Sequence, residues 1–247
     1  VMKLQEKRIE QAAQEMILNP GSLDHGGIPW YGLGKSHLSW HDTGSVNFIP
    51  RALSLWNDPE SRFYRDDVLL EKIDFALDFV LRRLPPSGLL SMIYCNFSSP
   101  PDTGFAMYVY GPTVENLRRC DDDFFLKNIL PKLEQLTRRM GEGLINAGIH
   151  TPNHRWSNVQ GLAWTWRLFG IPEARDFAEK WLAEGIDVTK DGEFMERSLN
   201  YSNHSDRSLL SAAYVLERPD LVAAARKNLC LLPFLTHPDD TCVTDLS

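Results

Sequence analysis

The 247-residue chain has few cysteines, no long hydrophobic run and none of the short motifs of nucleotide or serine-hydrolase sites. Its four cysteines are widely spaced without a C-x-x-C pair, which favours reduced thiols and leaves one disulfide as the alternative. No apolar run reaches the ~18 residues of a membrane-spanning helix. G-x-x-x-x-G-K and G-x-S-x-G motifs are absent, so kinase, dinucleotide and serine-hydrolase functions have no support.

Acidic residues outnumber basic ones, and the formal net charge is −7. A generally acidic surface argues against a nucleic-acid partner held through phosphate contacts. It does not exclude an anionic substrate, because a local cluster of Arg and His can hold one against the overall field. The first residues lack the apolar core and cleavage site of a signal peptide, which slightly favours a cytoplasmic over a secreted protein.

Helical periodicity runs through nearly the whole chain, and no alternating strand pattern persists. We therefore predict an all-α fold, an incomplete α/α toroid of antiparallel helical hairpins over residues 1–236, with an irregular helical array as the alternative. Residues 237–247 look like a turn leading into a strand and predict the start of a β-sandwich domain. The predicted helices cover about 1–18, 43–56, 66–84, 103–119, 122–147, 155–169, 173–185, 205–217 and 219–235.

Two polar clusters, 151–156 and 196–201, are predicted to be loops or helix starts. They contain an amide, an imidazole and a phenol: Asn153, His154 and Tyr201. These are the groups that β-elimination from a uronic acid requires, because an enzyme must neutralise the carboxylate, remove the C5 proton and protonate the leaving oxygen. Neither a metal nor an organic cofactor is required by that chemistry.

Both clusters resemble those of the heparinase II/III-like polysaccharide lyases, which include alginate and glycosaminoglycan lyases. In that group an Asn-His pair opens a helix of an α/α toroid and a catalytic Tyr follows later in the chain. Segments 96–103, 191–197 and 205–207 also resemble recurring elements of bacterial relatives. The resemblance implies a lyase acting on an anionic oligo- or polysaccharide. It also implies a β-sandwich domain after this chain, which contributes a further His and sometimes a metal site.

Carried onto this sequence, the resemblance assigns His154 and Tyr201 as base and acid, and Asn153 as the amide that neutralises the carboxylate. The predicted substrate-binding residues are polar or aromatic side chains of the connecting segments: Arg155, Asn96, Asp102, Trp30, Trp40, His204 and Arg207.

Other functions stay open at the level of sequence. A glycoside hydrolase on the same scaffold would use two carboxylates, Asp102 with Glu193, Glu196 or Asp206. A non-catalytic carbohydrate-binding domain is the third alternative. Structural roles compete as well, because Asp102 is a plausible helix N-cap and Tyr201 a plausible packing residue. The His37/His41 and His150/His154 pairs have ligand spacing but lack the Glu of a zinc motif, so no metal site is predicted.

Overall fold

A computed structural model describes residues 1–29, 44–91 and 96–243. Within these ranges there are isolated bridge residues but no β-strand, so the all-α prediction is confirmed. A π-helical turn, Phe125–Ile129, precedes α5, and a 3₁₀ turn, Leu232–Leu235, follows α9. The α-helices are α1 (Met2–Glu15), α2 (Ser45–Asn57), α3 (Asp67–Arg83), α4 (Pro100–Leu117), α5 (Leu130–Leu144), α6 (Pro152–Phe169), α7 (Pro172–Leu182), α8 (Leu199–Leu216) and α9 (Pro219–Leu231).

The helices form two rows. Helices α2, α4, α6 and α8 contact one another in that order and form what we call the inner row. Helices α3, α5 and α7 contact one another as an outer row, and successive helices α2·α3, α4·α5, α6·α7 and α8·α9 pack as hairpins. Such a two-row array is what an arc of a toroid requires. Closure into a toroid stays a prediction.

Helices α4 and α6 run parallel and pack very closely. Gly104 lies against Ser157, and seven residues further along α4, Gly111 lies against the ring of Trp164 on α6. The two contacts advance together along both helices, which fixes their relative direction. At each glycine a Cβ atom would fall 2.4 Å from its neighbour on α6, so only glycine allows this separation.

Helix α6 is surrounded on nearly every side, because it contacts α4, α5, α7 and α8. Its buried residues include polar ones, and Gln160 donates its side-chain amide to the backbone carbonyl of Gly104. A helix that is buried all round does not show a single apolar stripe. Its buried Ser157 and Gln160 are accommodated because each donates to a backbone carbonyl of α4.

A proline in α2 supplies a link to α4. Pro50 has no backbone N–H, so the carbonyl of Val46, four residues earlier, loses its helical donor. The hydroxyl of the fully buried Tyr110 on α4 donates to that carbonyl at 2.7 Å. The helix continues through Pro50, and the vacant acceptor becomes a contact between two inner helices.

Three helices of the inner row begin earlier than the sequence pattern predicts. Helix α8 begins at Leu199 rather than near residue 205, α6 at Pro152 rather than 155, and α4 at Pro100 rather than 103. Ser198 caps α8 and Ser99 caps α4, each accepting from a backbone N–H of the first turn. Asp102 is therefore in the first turn of α4 and is not its N-cap.

The end of the described chain forms a short turn after α9. His237 N–H donates to the Thr241 carbonyl at 2.8 Å, and Thr236 pairs with Cys242 as an isolated antiparallel bridge. A turn leading to extended chain was predicted here. Residues 244–247 lie outside the described ranges, and the predicted β-sandwich domain stays a prediction.

The helices described in this structure include none that is both long and apolar enough to cross a membrane.

Replacing Gly111 by Ala is expected to lower the free energy of unfolding by about 1–3 kcal/mol, because a new Cβ would overlap the Trp164 ring. This loss opposes the ~1 kcal/mol that Ala normally gains over Gly inside a helix. Urea unfolding followed by circular dichroism measures the change. Gly148→Ala is the matched control, since a Cβ there meets nothing within 4 Å. Equal stability of both variants would contradict the close packing of α4 on α6.

Candidate functional site

The N-terminal ends of α4, α6 and α8 lie at one end of the inner row. We call this end the rim and define it by residues 96–105, 150–157 and 196–204. Thr151 gives α6 no side-chain cap, and the carboxylate of Glu196 instead accepts from the Asn153 backbone N–H at 3.0 Å. A carboxylate at that position also complements the positive end of the helix. The segment before α8 is thus joined to the first turn of α6.

Aromatic contacts join the three helices at the rim. The ring of Phe105 on α4 lies 6.2 Å from that of His154 on α6 and 5.2 Å from that of His204 on α8. His150, just before α6, lies edge-on to His154 at 6.2 Å. The structure therefore brings His154 and His204 into contact with the same phenylalanine.

Both imidazoles favour the neutral form. Partial burial lowers the pKa of His154, and the neighbouring His150 lowers it further, while Asp102 opposes this. Partial burial also lowers the pKa of His204, with the positive charge of Arg207 acting in the same direction. A neutral imidazole can accept a proton, and the Nδ1 atom of His154 is buried without a hydrogen-bond partner.

Tyr201 lies in the first turn of α8 and is 42% exposed. Its backbone N–H donates to the capping hydroxyl of Ser198 at 3.4 Å. Tyr201 precedes His204 by three residues, so the two side chains are neighbours on the helix surface. Within the described ranges its ring contacts neither histidine, so the phenol is open to solvent at the rim.

Asn153 is at the rim but is only 1% exposed. Its side-chain carbonyl accepts from the Thr151 hydroxyl at 2.5 Å, and its Nδ2 is buried without a partner. An unpaired buried donor is costly, so this amide has capacity for one more acceptor. A ligand carboxylate can use that donor only where the residues covering Asn153 move.

Arg155 does not have the geometry of a substrate-binding residue. Its side chain is 8% exposed and lies 3.4 Å from Glu184 and 3.5 Å from Asp187, on the α7 side of α6. It also donates to the Gly185 carbonyl and stacks over Trp156. These contacts anchor the segment between α7 and α8. These contacts are structural, and the predicted contact of Arg155 with a substrate stays a prediction.

Asp102 and Asn96 form one hydrogen-bonded group with Ser99. The Ser99 hydroxyl donates to Asp102 Oδ2 at 2.5 Å, and the Asn96 amide donates to Ser99 Oγ at 3.1 Å. Asp102 is buried, and its charge acts to raise the pKa of His154. Its predicted contact with a substrate stays a prediction. Asn96 is half-buried and lies at the edge of the rim.

Trp30 and Trp40, predicted as sugar-stacking residues, lie outside the described residues. Arg207, the last predicted binding residue, is exposed on α8, and its guanidinium lies 4.5 Å from the centre of the Tyr108 ring on α4. It therefore faces α4 across the inner row, one turn beyond His204.

Phe105 and Glu196 were not predicted as parts of this arrangement. A phenylalanine within a helical pattern indicates core packing, so nothing in the sequence distinguishes Phe105. Glu196 carried a signal, since it belongs to the second polar cluster. Its raised pKa follows from partial burial, which the Asn153 N–H opposes.

No group of three His, Cys, Asp or Glu side chains that could hold a metal occurs among the described residues. His37 and His41 fall outside them. Searches of protein-family models, of curated proteins and of solved structures find no match for this chain.

Asp206, two residues beyond His204 on α8, is 4% exposed, and neither carboxylate oxygen has a hydrogen-bond partner. Burial raises its pKa to about 7. Because the folded-state pKa lies above the unfolded one, the folded protein binds more protons between about pH 4 and pH 7. The contribution of Asp206 to the free energy of unfolding is therefore fully present below about pH 4 and is lost as the pH rises through that window.

Asp206→Asn is expected to stabilise the protein more at pH 8 than at pH 4.5, by on the order of 1–2 kcal/mol, since the amide cannot ionise. Thermal and urea unfolding at both pH values measure the difference. Asp191→Asn, at an exposed loop position, is the control and should show the same effect at both. A pH-independent effect of Asp206→Asn would show that this carboxyl is not protonated in the folded state.

Proposed function

We propose that this protein is a polysaccharide lyase that cleaves a uronate-containing glycan by β-elimination at the rim. The observation that carries the proposal is a neutral, partly open His154 at the same end of the inner row as the exposed phenol of Tyr201. One provides a proton acceptor and the other a proton donor. The resemblance of the two polar clusters to the heparinase II/III-like lyases supports the same chemistry.

In this mechanism His154 accepts the proton from C5 of the uronate. The electron pair of the C–H bond forms the C4–C5 double bond, and the bond from C4 to the glycosidic oxygen breaks. The Tyr201 hydroxyl gives its proton to that oxygen, which leaves as a free hydroxyl. The imidazolium that forms is stabilised by the nearby Asp102 charge.

The uronate carboxylate must be neutralised for the C5 proton to become acidic. The unpaired Nδ2 donor of Asn153 and the imidazole of His204 are the groups at the rim for this role. Because Asn153 is buried, its use requires a shift of the rim segments when substrate binds. The proposed steps use only side chains of this protein and require no cofactor.

A glycoside hydrolase is less well supported by the carboxylates. Asp102 and Asp206 are both buried, and Glu193 lies 3.8 Å from Arg197. Glu196 is committed to the Asn153 N–H. A pair of open carboxylates facing a shared cleft is what hydrolysis requires.

Tyr201→Phe is expected to reduce formation of the unsaturated uronate by about 10²- to 10⁴-fold, since the proton donor is lost. Ultraviolet absorbance of the conjugated product, measured with a panel of uronate polymers, reads out the reaction. Folding should be unaffected, because the side chain of Tyr201 is exposed.

Tyr64→Phe, which alters another exposed tyrosine far along the chain from the rim, should retain full activity. Loss of activity in Asp102→Asn with retention in Tyr201→Phe would favour a hydrolase instead. Folded protein that binds oligosaccharides but yields no absorbance with any uronate would favour a binding domain.

A further inference from the structure

A groove of about 730 Å³ runs along the inner row, away from the rim. Residues of α2, α4, α6 and α8 line it, among them Arg51, Tyr108, Glu115, Trp164, Arg207 and Tyr214. We call it the inner groove. None of the predicted catalytic residues lies in it, and its volume is in the range of small-molecule sites.

The inner groove lies along the same parallel helices as the rim. Tyr108 and Arg207 line its end nearer the rim, three residues beyond Phe105 and His204. Glu115 and Tyr214, ten residues beyond that pair, line its far end. Ten residues of α-helix span about 15 Å. A ligand that fills both the rim and the groove must therefore be longer than one sugar unit.

Arg207 supplies an exposed positive charge to the groove. Its guanidinium lies over the Tyr108 ring at 4.5 Å, and no carboxylate of the described residues forms an ion pair with it. The one acidic lining residue, Glu115, is neutralised by Arg167 at 2.6 Å. The groove thus offers unbalanced positive charge in a protein whose formal net charge is −7.

Tyr214 gives the far end an aromatic surface. Its side chain is 58% exposed, and its ring lies 6.1 Å from that of Trp164. The Tyr214 hydroxyl lies 3.4 Å from Glu115, and the Trp164 indole donates to the Ser211 hydroxyl at 2.9 Å, so both rings are held in place. An exposed, fixed aromatic face suits the apolar face of a sugar ring.

We propose that the inner groove is a distal subsite for an anionic glycan, where Arg207 takes the carboxylate or sulfate of one sugar unit and Tyr214 stacks against a neighbouring unit. The identity of the ligand as a glycan rests on the proposed function, whereas binding in the groove does not require turnover. The formal net charge of −7 disfavours a nucleic acid held through many phosphate contacts, whereas a glycan can be held through one anionic group and ring stacking. The protein then selects oligomers over short fragments.

The test is calorimetric binding of di- and hexauronates to the full chain carrying Tyr201→Phe, which prevents turnover. We expect the hexamer to bind more tightly than the dimer. Adding Arg207→Gln or Tyr214→Ala should raise the Kd of the hexamer about tenfold and change the Kd of the dimer less than twofold. Arg226→Gln, an exposed arginine of α9, is the control and should change neither.

Hexamer binding that is no tighter than dimer binding, or that survives both groove variants, would overturn the distal subsite. Two variants at different positions guard against a folding defect in one. Sulfated and carboxylated hexamers distinguish the two anionic groups, and equal or tighter binding of oligothymidylate would overturn the assignment to a glycan. Product formation is measured separately with the unsubstituted protein. Groove-dependent hexamer binding, together with no unsaturated product from the unsubstituted protein, would reject the lyase and retain the subsite. Product from the unsubstituted protein, together with hexamer binding that the groove variants do not change, would reject the subsite and retain the lyase.

Discussion

The close parallel packing of α4 on α6 is the constraint on which the rest of the structure depends. Gly104 and Gly111 allow the two helices to approach until backbone and side chains of α6 touch α4 directly. Parallel packing in this register places the first turns of α4 and α6 together, and α8 joins them through Phe105. The rim and the inner groove are both consequences of this arrangement, because each uses side chains from several inner helices.

The electrostatics of the rim depend on burial more than on ion pairs. Desolvation is the main cause of the lowered pKa of His154 and His204 and of the raised pKa of Asp206. The rim therefore contains two imidazoles that favour the neutral form, and Asp206, two residues beyond His204 on α8, is a carboxyl whose pKa is raised to about 7. The ion pairs of Arg155 lie on the α7 side of α6. Under the proposed function, the neutral imidazoles are the groups that exchange protons with a ligand.

The sequence alone was enough to predict the helical class and most helices, because apolar periodicity reports burial directly. It failed at the first turns of α6 and α8, where polar residues hide the helical pattern, so the segment that contains Tyr201 was placed before the predicted helix 205–217. It could not indicate which face of α6 carries Arg155, since neighbouring residues of one helix point in different directions. The sequence did not indicate that Phe105 joins α4, α6 and α8 at the rim. That contact depends on the register of two other helices, which no local sequence pattern predicts.

The most direct test of the account is a crystal structure of the Tyr201→Phe variant with a bound uronate oligosaccharide. We expect the C5 atom of one uronate within reach of the His154 imidazole, its glycosidic oxygen beside the ring at position 201, and its carboxylate beside Asn153 or His204. An oligosaccharide bound away from the rim, or one with its C5 atom remote from His154, would contradict the central claim that the first turns of α6 and α8 form one catalytic site.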